Sequence, residues 1–441
     1  MNIILLSGGS GKRLWPLSNE VRSKQFLKIF KKEDGTYESM VQRMCRMINE
    51  VDEHSTITIA TSESQMTSVR AQLGDEVGIS IEPCRRDTFP AIALATAYLH
   101  EVKGISEEES VVVCPVDPYV ELPYFKMLSS LHGQADKGEA NLVLMGIEPT
   151  YPSEKYGYIM PESAENLSYV SSFKEKPDVK TAKEYISQGT LWNAGVFAYK
   201  LKYVLEIAKN IFGTNSYKEL FADYDKLSKI SFDYAVVEKE KNIQVMRFAG
   251  AWKDLGTWNT LTEAMSEEVV GNAVAASCEN THVINELQIP LVALGVKDLA
   301  IAATPDGILV SDKSSSDKLK EFVADQRPMF EERIWGEYKV LDYRIDEDGK
   351  NYLTKHLIIK PGQHISYQKH THRSEIWTIV DGKGALIIDG ETKRVCRGDT
   401  AYIRPGTKHA IKAETELHII EVQVGDELTE RDIERLDWDW D

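Results

Sequence analysis

The N-terminal half of the chain alternates short apolar runs with longer stretches of helical periodicity. NIILLS, STITIA, SVVVCPVD and ANLVLMGIE are nearly continuous apolar runs bounded by turn residues, as strands covered on both faces of a parallel sheet must be. Between them, ESMVQRMCRMINEV and AIALATAYLHEV carry apolar residues at helical spacing. Alternation of this kind implies βαβ units and an open α/β sheet with helices on both faces. Ligands of such sheets bind beyond the carboxyl ends of the strands, so the following loops are where chemistry is to be sought.

The texture changes twice further on. From about Gly271 to Ser311 the pieces become short and β-like (THVINE, IPLVALGV, LAIAATPDG, ILVSD). The polar run SDKSSSDK reads as a linker or turn-rich edge, and KLKEFVADQ as a short closing helix. After Arg327-Pro328, YLTKHLIIKPG, ISYQKHTH, EIWTIVDGKGALIIDG, TAYIRPG and LHIIEVQVG are short strands broken by glycine turns, the spacing of a small barrel or sandwich. The 441 residues are too many for one ordinary domain. The expected division is a catalytic domain over 1–265, a β-rich connector over 266–327 and an all-β barrel over 328–441. The ending LDWDWD reads as a docked terminus.

Apolar residues make up 42% and charged residues 27%, and the formal net charge is −17. The balance is that of a soluble globular chain. A surface this acidic argues against general affinity for nucleic acid or anionic lipid while leaving room for local basic sites. No apolar run approaches a membrane span and the N-terminus lacks the pattern of a signal peptide. Cys45, Cys84, Cys114, Cys278 and Cys396 are scattered and odd in number, which suits free thiols in a reducing compartment. A cytoplasmic protein without nucleic-acid or membrane partners is expected.

Ser7-Gly8-Gly9-Ser10-Gly11-Lys12-Arg13 directly follows the first apolar run. Glycines let backbone approach a ligand, and successive N–H groups form an anion nest. With Lys12, Arg13 and Lys24 nearby, the loop is a candidate polyphosphate site; the plainer reading is a tight strand-to-helix turn with solvated cations. It is neither GxxxxGK[ST] nor GxGxxG.

LSGGSGKRLWPLSNEVRSKQFLKIF resembles the opening signature of the sugar-nucleotide pyrophosphorylases, in particular the mannose-1-phosphate guanylyltransferases, GGxGTRLWPLSRxxxPKQF. Lys12 stands for the usual threonine and Ser23 for the usual proline. Glu82-Pro83-Cys84-Arg85-Arg86-Asp87-Thr88-Phe89-Pro90-Ala91 is similar to EPxxRNTAPA, with Asp87 for asparagine and Phe89 for alanine. Cys114-Pro115-Val116-Asp117-Pro118 resembles the PADH that ends a central strand, with Pro118 for histidine. The motifs YGYI (156–159), FKEKP (173–177), LWNAGVF (191–197), FDYA (232–235) and WKDLGTW (252–258) follow in family order.

The resemblance implies a Rossmann-like nucleotidyltransferase domain with a mixed, mostly parallel sheet. It implies transfer of a nucleotidyl group from GTP to mannose 1-phosphate with Mg2+. By the same resemblance Asp117 and Asp254 hold the metal, although a lone aspartate at a strand end is ordinarily a turn or helix cap. Arg13 and Lys24 would stabilise the triphosphate and the departing pyrophosphate. Lys176 would pair with the sugar phosphate, Glu175 would accept sugar hydroxyls, and Asn193 with the Gly157 backbone would complete sugar recognition. Gly8 and Gly9 would line the nucleotide, with Glu82 and Arg86 near the base. A homodimer is expected. The Asp87, Phe89 and Pro118 substitutions leave another sugar 1-phosphate open, and a nucleotide-sugar sensor without turnover is the non-enzymatic alternative.

In QKHTHRSEIW, Gln368, His370 and His372 alternate with period two, so on a strand all three share one face. With Glu375 and with His409 in PGTKH, they are similar to the two-motif pattern of cupin barrels, HxHxxxE and GxxxxxPxGxxH, one residue short between His372 and Glu375. Imidazoles and a carboxylate suit Zn2+ or another divalent transition metal. The family often carries such a domain as a mannose-6-phosphate isomerase, so a bifunctional enzyme is a further expectation, and a barrel that only buries surface is its competitor.

Overall fold

Each of the four apolar runs forms a strand of one nine-stranded sheet. In spatial order the strands are Gly78–Glu82, Thr56–Ser62, Asn2–Ser7, Ser110–Pro115, Leu191–Lys200, Leu142–Ile147, Ile243–Phe248, Leu167–Lys174 and Tyr158–Pro161. The first four run parallel, whereas Leu191–Lys200 is antiparallel to both its neighbours. The sheet is thus mixed, and its middle strands are buried along most of their length. The computed structural model describes residues 1–9, 12–19, 21–323, 327–345 and 351–440. It separates into one unit of Met1–Leu14, Ser23–Met66 and Leu73–Ser266, and a second of Trp15–Arg22, Thr67–Gln72 and Glu267–Asp441.

In the first unit, helix Met40–Val51 starts at a Ser39–Gln42 capping box and buries Met40, Met44, Met47 and Ile48, the i, i+4, i+7, i+8 set of one face. Helix Thr88–Ala97 is buried from Phe89 to Ala97, so it is apolar all round rather than amphipathic. Phe89 stacks on Phe212 at 5.1 Å and tilts against Phe232 at 6.2 Å.

Register places the loops. Leu6 lies beside Pro115 in the parallel pair, so the turn at Gly8 and the segment at Asp117 leave the sheet side by side. The antiparallel register Phe197↔Val113 brings Asn193 to that same edge, and a bulge separates Asn193 from Phe197. Gly195, inside the bulge, has φ 69°, a conformation glycine adopts freely.

The second unit begins with two small sheets. Val269–Gly271, His282–Asn285, Leu299–Thr304 and Gly307–Asp312 form one, and Ala273–Ala276 with Leu291–Leu294 the other; Val283, Ala293 and Ile301 fill the space between. The helix expected over KLKEFVADQ is instead a 3-10 segment, Lys313–Glu321, opened by the Asp312 side chain on Ser314 N. It takes in most of the SDKSSSDK run, because serines and aspartates offer local hydrogen bonds that compete with an α-helix. Residues 324–326, the end of the expected helix, lie outside the described residues.

The rest of the second unit is a barrel of a six- and a five-stranded sheet. Asn351–Ile359 alternates buried and half-buried positions along its whole length, the period of a strand with one face inward. Trp377, Ile379, Leu417 and Ile419 lie in its core. The C-terminal tail docks, with Trp438 against Tyr367 at 4.8 Å and Trp440 against His364 at 5.0 Å.

Phe89→Ala leaves a ring-sized void in a cluster with no slack to refill it. We expect a loss of about 3–5 kcal/mol, read by denaturant unfolding of the full chain.

Candidate functional site: two cavities at the sheet edge and a buried cluster in the barrel

Gly8 and Gly9 line a cavity of about 420 Å³ together with Glu82, Arg85, Asp87, Thr88, Asp117 and Lys229. Gly9 has φ 148° and a Cβ there would meet nothing, so backbone conformation rather than space calls for glycine. Ser10 and Gly11 lie outside the described residues, as does the Lys12 side chain. Arg13 is exposed on the short turn Lys12–Leu14. Asp87 has φ 70° and its side chain caps Thr88 N at 2.8 Å. With ψ −174° this is a strained backbone outside the left-handed helical region, and the cap on Thr88 N is what the aspartate side chain contributes there.

Burial pushes the Glu82 carboxyl up, against the Tyr224 hydrogen bond at 2.9 Å and the Arg85 charge. Arg86 departs from expectation. Its guanidinium donates to the Asp225 backbone carbonyl, and it is Arg85 that lines the cavity, since consecutive side chains of an extended segment diverge. Lys229 and Arg85 are cavity cations that no sequence motif singled out.

A second cavity, of about 410 Å³, shares Pro115 and Asp117 with the first. Tyr156, Gly157, Glu175, Lys176, Asn193, Asp233, Trp252 and Asp254 line it. A Cβ on Gly157 would fall 2.5 Å from Glu175 Oε2 and 2.7 Å from the Phe173 ring, so only glycine fits. The Gly157 carbonyl accepts from Asn193 N at 2.8 Å. Glu175 is buried, its Oε1 pairs with Lys176, and its Oε2 has no partner. Asn193 Nδ2 donates to Asp233 at 2.6 Å, while its Oδ1 accepts from Gly195 N at 3.1 Å. Both ends of that amide are fixed by protein groups.

Asp233, part of the FDYA motif, faces the second cavity, which the motif alone does not reveal. Burial, and then the neighbouring Glu175 charge, push its carboxyl up to about 6. The readable signal was a lone acid inside the apolar run FDYAVV.

Asp117 and Asp254 meet. Residues Trp252–Asp254 pair antiparallel with Pro118–Val120 in a separate two-stranded ribbon, Asp254 opposite Pro118. Lys24 Nζ lies 2.7 Å from Asp117 and 3.6 Å from Asp254, so one ammonium already spans both carboxylates. Two carboxylates that converge on a cation beside a cavity are a fitting donor set for a hard divalent ion, whose remaining ligands come from water and phosphate.

In the barrel, His370, Glu375 and His409 are fully buried and their ligand atoms lie within 4.8 Å of one another. His370 Nδ1 bonds the Arg373 carbonyl at 2.8 Å and His409 Nδ1 the Thr407 carbonyl at 3.0 Å. Each Nδ1 therefore carries the proton, leaving Nε2 a bare lone pair. Those two Nε2 atoms sit 3.2 and 3.7 Å from Glu375 oxygens and have no hydrogen-bond partner. Lone pairs facing lone pairs in a dry interior are the arrangement a divalent metal resolves.

His372 does not join them. The strand ends at Lys369, so the period-two reading fails two residues early. His372 is half exposed, 3.5 Å from Asp426, and Asp432 accepts from its backbone N–H and that of Thr371. The buried face continues from Gln368 to His370 and then to Glu375, so the motif is Gln-x-His-x4-Glu, one histidine earlier than the sequence suggested. Arg373 donates to Glu375 at 2.9 Å, and Trp377 Nε1 bridges Glu375 and Glu421 at 3.1 and 3.2 Å. Burial and then the Glu375 charge push the Glu421 carboxyl up.

Residues 2–269 match the family model described as Nucleotidyl transferase. The chain belongs to the nucleotidyl transferase family. A second match, to the Mannose-6-phosphate isomerase C-terminal family, spans residues 324–438. A curated mannose-1-phosphate guanylyltransferase of Salmonella montevideo is 32% identical, with 98% of each chain covered. The xanthan biosynthesis protein XanB of Xanthomonas campestris pv. campestris (strain B100) is 31% identical over 98% of this chain and 97% of that protein. Among solved structures, a Thermus thermophilus protein described as a mannose-1-phosphate geranyltransferase is 30% identical. It covers 73% of this chain and 97% of its own, with a TM-score of 0.61. This member of the family is thus a nucleotidyltransferase with a cupin-like C-terminal part, and among the described residues no helix is long and apolar enough to cross a membrane.

Asp233 yields a pH test. Its folded-state value near 6 lies above the unfolded value of about 3.9, so its ionisation opposes folding. The cost is absent below about pH 4, grows between pH 4 and 6, and is complete above that, on the order of 3 kcal/mol. Asp233→Asn keeps an acceptor for Asn193. Denaturant titrations should show it more stable than wild type at pH 7.5 and equal to it near pH 4.

Proposed function

We propose that the chain forms GDP-mannose and pyrophosphate from GTP and mannose 1-phosphate. The observation that carries this reading is the pair of cavities meeting at Asp117, one walled by the glycine turn and the other by Glu175, Lys176 and Asn193. A triphosphate in the first and a sugar phosphate in the second place the sugar phosphate oxygen against the α-phosphorus. An O–P bond forms there as the bond from the α-phosphorus to the bridging oxygen breaks, and pyrophosphate leaves with that electron pair. Holding two anions in line is most of the catalytic work in such a transfer.

Gly8 and Gly9 approach the nucleotide phosphates, and Arg13 with Lys24 meets the charge that builds on the departing pyrophosphate. Lys176 receives the sugar phosphate. The unpartnered Glu175 Oε2 accepts a sugar hydroxyl, and Asn193, locked by Asp233 and Gly195, presents a fixed edge to the ring. Asp117 and Asp254 would hold Mg2+, which when bound supplies charge neutralisation across the phosphates. Glu82 and Arg85 stand where a base edge would be read.

The barrel supports a second activity, isomerisation of mannose 6-phosphate. His370, Glu375 and His409, with Gln368 beside them, would hold Zn2+ or a similar ion, which supplies polarisation of a carbonyl. Arg333, Lys355, Arg373 and Arg435 line the same cavity of about 350 Å³ and would take a phosphate. Glu421 lines the same cavity, and burial there pushes its carboxyl up.

Pyrophosphate release across four nucleoside triphosphates and a panel of sugar 1-phosphates tests the first reading; GTP with mannose 1-phosphate should give the dominant signal. Asp117→Ala should lower kcat by about 100-fold or more while the melting curve is kept, and near wild-type turnover would remove Asp117 from the metal site. For the barrel, metal content after dialysis should fall to background in His370→Ala and His409→Ala but persist in His372→Ala. Loss in all three, or in none, would contradict the Gln-x-His-x4-Glu frame.

A further inference from the structure

Behind the Gly8–Gly9 turn lies a buried polar girdle centred on Gln65. This residue is the third of helix Glu63–Leu73 and is fully buried. Its Nε2 donates to the Gly9 carbonyl at 3.1 Å and to Ser23 Oγ at 2.7 Å. Its Oε1 accepts from Gln25 Nε2 and from Thr61 Oγ1, both at 3.1 Å. A carbonyl can only accept, so the contact with Gly9 fixes which end of the amide is nitrogen, and all four hydrogen-bonding positions of the side chain are filled. A glutamine with no free valence in a water-excluded site is a rigid connector, not a surface polar group.

The girdle holds carbonyls on both sides of Gly8. Gln25 Nε2 reaches the Ser7 carbonyl at 3.3 Å, the single Thr61 hydroxyl proton lies between that carbonyl and Gln65 Oε1 and favours the shorter contact to Gln65, and Ser23 Oγ joins Gln65 on the Gly9 carbonyl at 3.1 Å. In a trans peptide the N–H points away from the preceding carbonyl, so tying the Ser7 carbonyl inward turns the Gly8 N–H away from the girdle. Ser23 and Gln25 also flank Lys24, whose ammonium lies 2.7 Å from Asp117. A single side chain therefore fastens the two anion-facing pieces of the site, the glycine turn and the Lys24 segment, which are separate stretches of the sequence.

We propose that Gln65 is a positioning residue for the triphosphate: through Gly9, Ser23 and Gln25 it sets the glycine turn and Lys24 in mutual register without touching substrate. This rests on the reading of the Gly8–Gly9 cavity as the nucleotide site. Gln65→Met keeps length and burial but removes all four bonds. In the full-length protein, with the nucleoside triphosphate that wild type turns over, KM for that triphosphate should rise and kcat fall by about 10-fold each, while KM for the sugar 1-phosphate stays within about twofold. A folded variant with both KM values unchanged, or with both raised together, overturns the proposal.

Ser23→Ala covers the case in which Gln65→Met does not fold. It removes one of the four bonds and should give the same selective rise in the triphosphate KM, by about threefold, which is within the effect of a single lost hydrogen bond; an equal effect on both substrates, or none, counts against Gln65. Failure of the GTP reading would show in wild type as turnover of a different triphosphate, whereas failure of the Gln65 assignment would show only in the variants.

Discussion

Two aspartates must share one cation, and the rest of the first unit is arranged to let them. Asp117 leaves the end of a central strand and Asp254 comes from a chain segment well over a hundred residues later. Like charges a few ångströms apart repel by an amount that grows as water is excluded. The short ribbon that pairs Asp254 with Pro118 imposes the approach, and Lys24 between the carboxylates balances it. Lys24 is in turn held by neighbours on either side that reach the glycine turn. The carboxylate pair, the lysine and the turn thus form a single electrostatic unit built from separated stretches of chain, within a protein whose net charge of −17 makes every local cation count.

The barrel handles charge differently. Around Glu375 everything is buried, so each ionised group needs a partner inside. Arg373 supplies one full positive charge, Trp377 ties Glu375 to Glu421, and burial and then the Glu375 charge push the Glu421 carboxyl up. Histidines whose Nδ1 atoms are committed to backbone carbonyls complete the set. The first unit sets a lysine between its two aspartates, which are partly exposed; the barrel surrounds its acids with fully buried partners.

Much of this is legible in the sequence, for physical reasons. Continuous apolar runs such as SVVVCPV specify strands buried on both faces, and the chemistry then had to follow their ends, which is where Asp117 and the glycine turn lie. Arg86 was misplaced because motif order says nothing of which of two adjacent arginines turns inward. His372 was misread because period two holds only while a strand lasts, and nothing in QKHTHRSE marks its end at Lys369. Gln65 and Asp233 were overlooked because their roles depend on burial, a property of packing rather than of spacing. A glutamine near the start of a helix of weak amphipathicity reads as surface; only the fold shows its amide closed against Gly9 and Ser23.

Among the described residues, Glu175 Oε2, His370 Nε2 and His409 Nε2 are buried without partners in a cavity wall or a candidate metal cluster. Each costs the folded protein about 1–3 kcal/mol, which selection for stability alone would remove by a conservative change. Buried unpartnered atoms also occur away from the sites, as at Thr58 Oγ1, Ser80 Oγ and Ser110 Oγ, so it is the setting of these three, a cavity wall and a cluster of possible metal ligands, that points to a ligand as the missing partner. The orphaned oxygen of Glu175 and the bare imidazole nitrogens are thus the same feature in two settings, and each lies near a residue held by protein contacts, Asn193 by Asp233 and Gly195, and Arg373 by Glu375 and the Thr429 carbonyl.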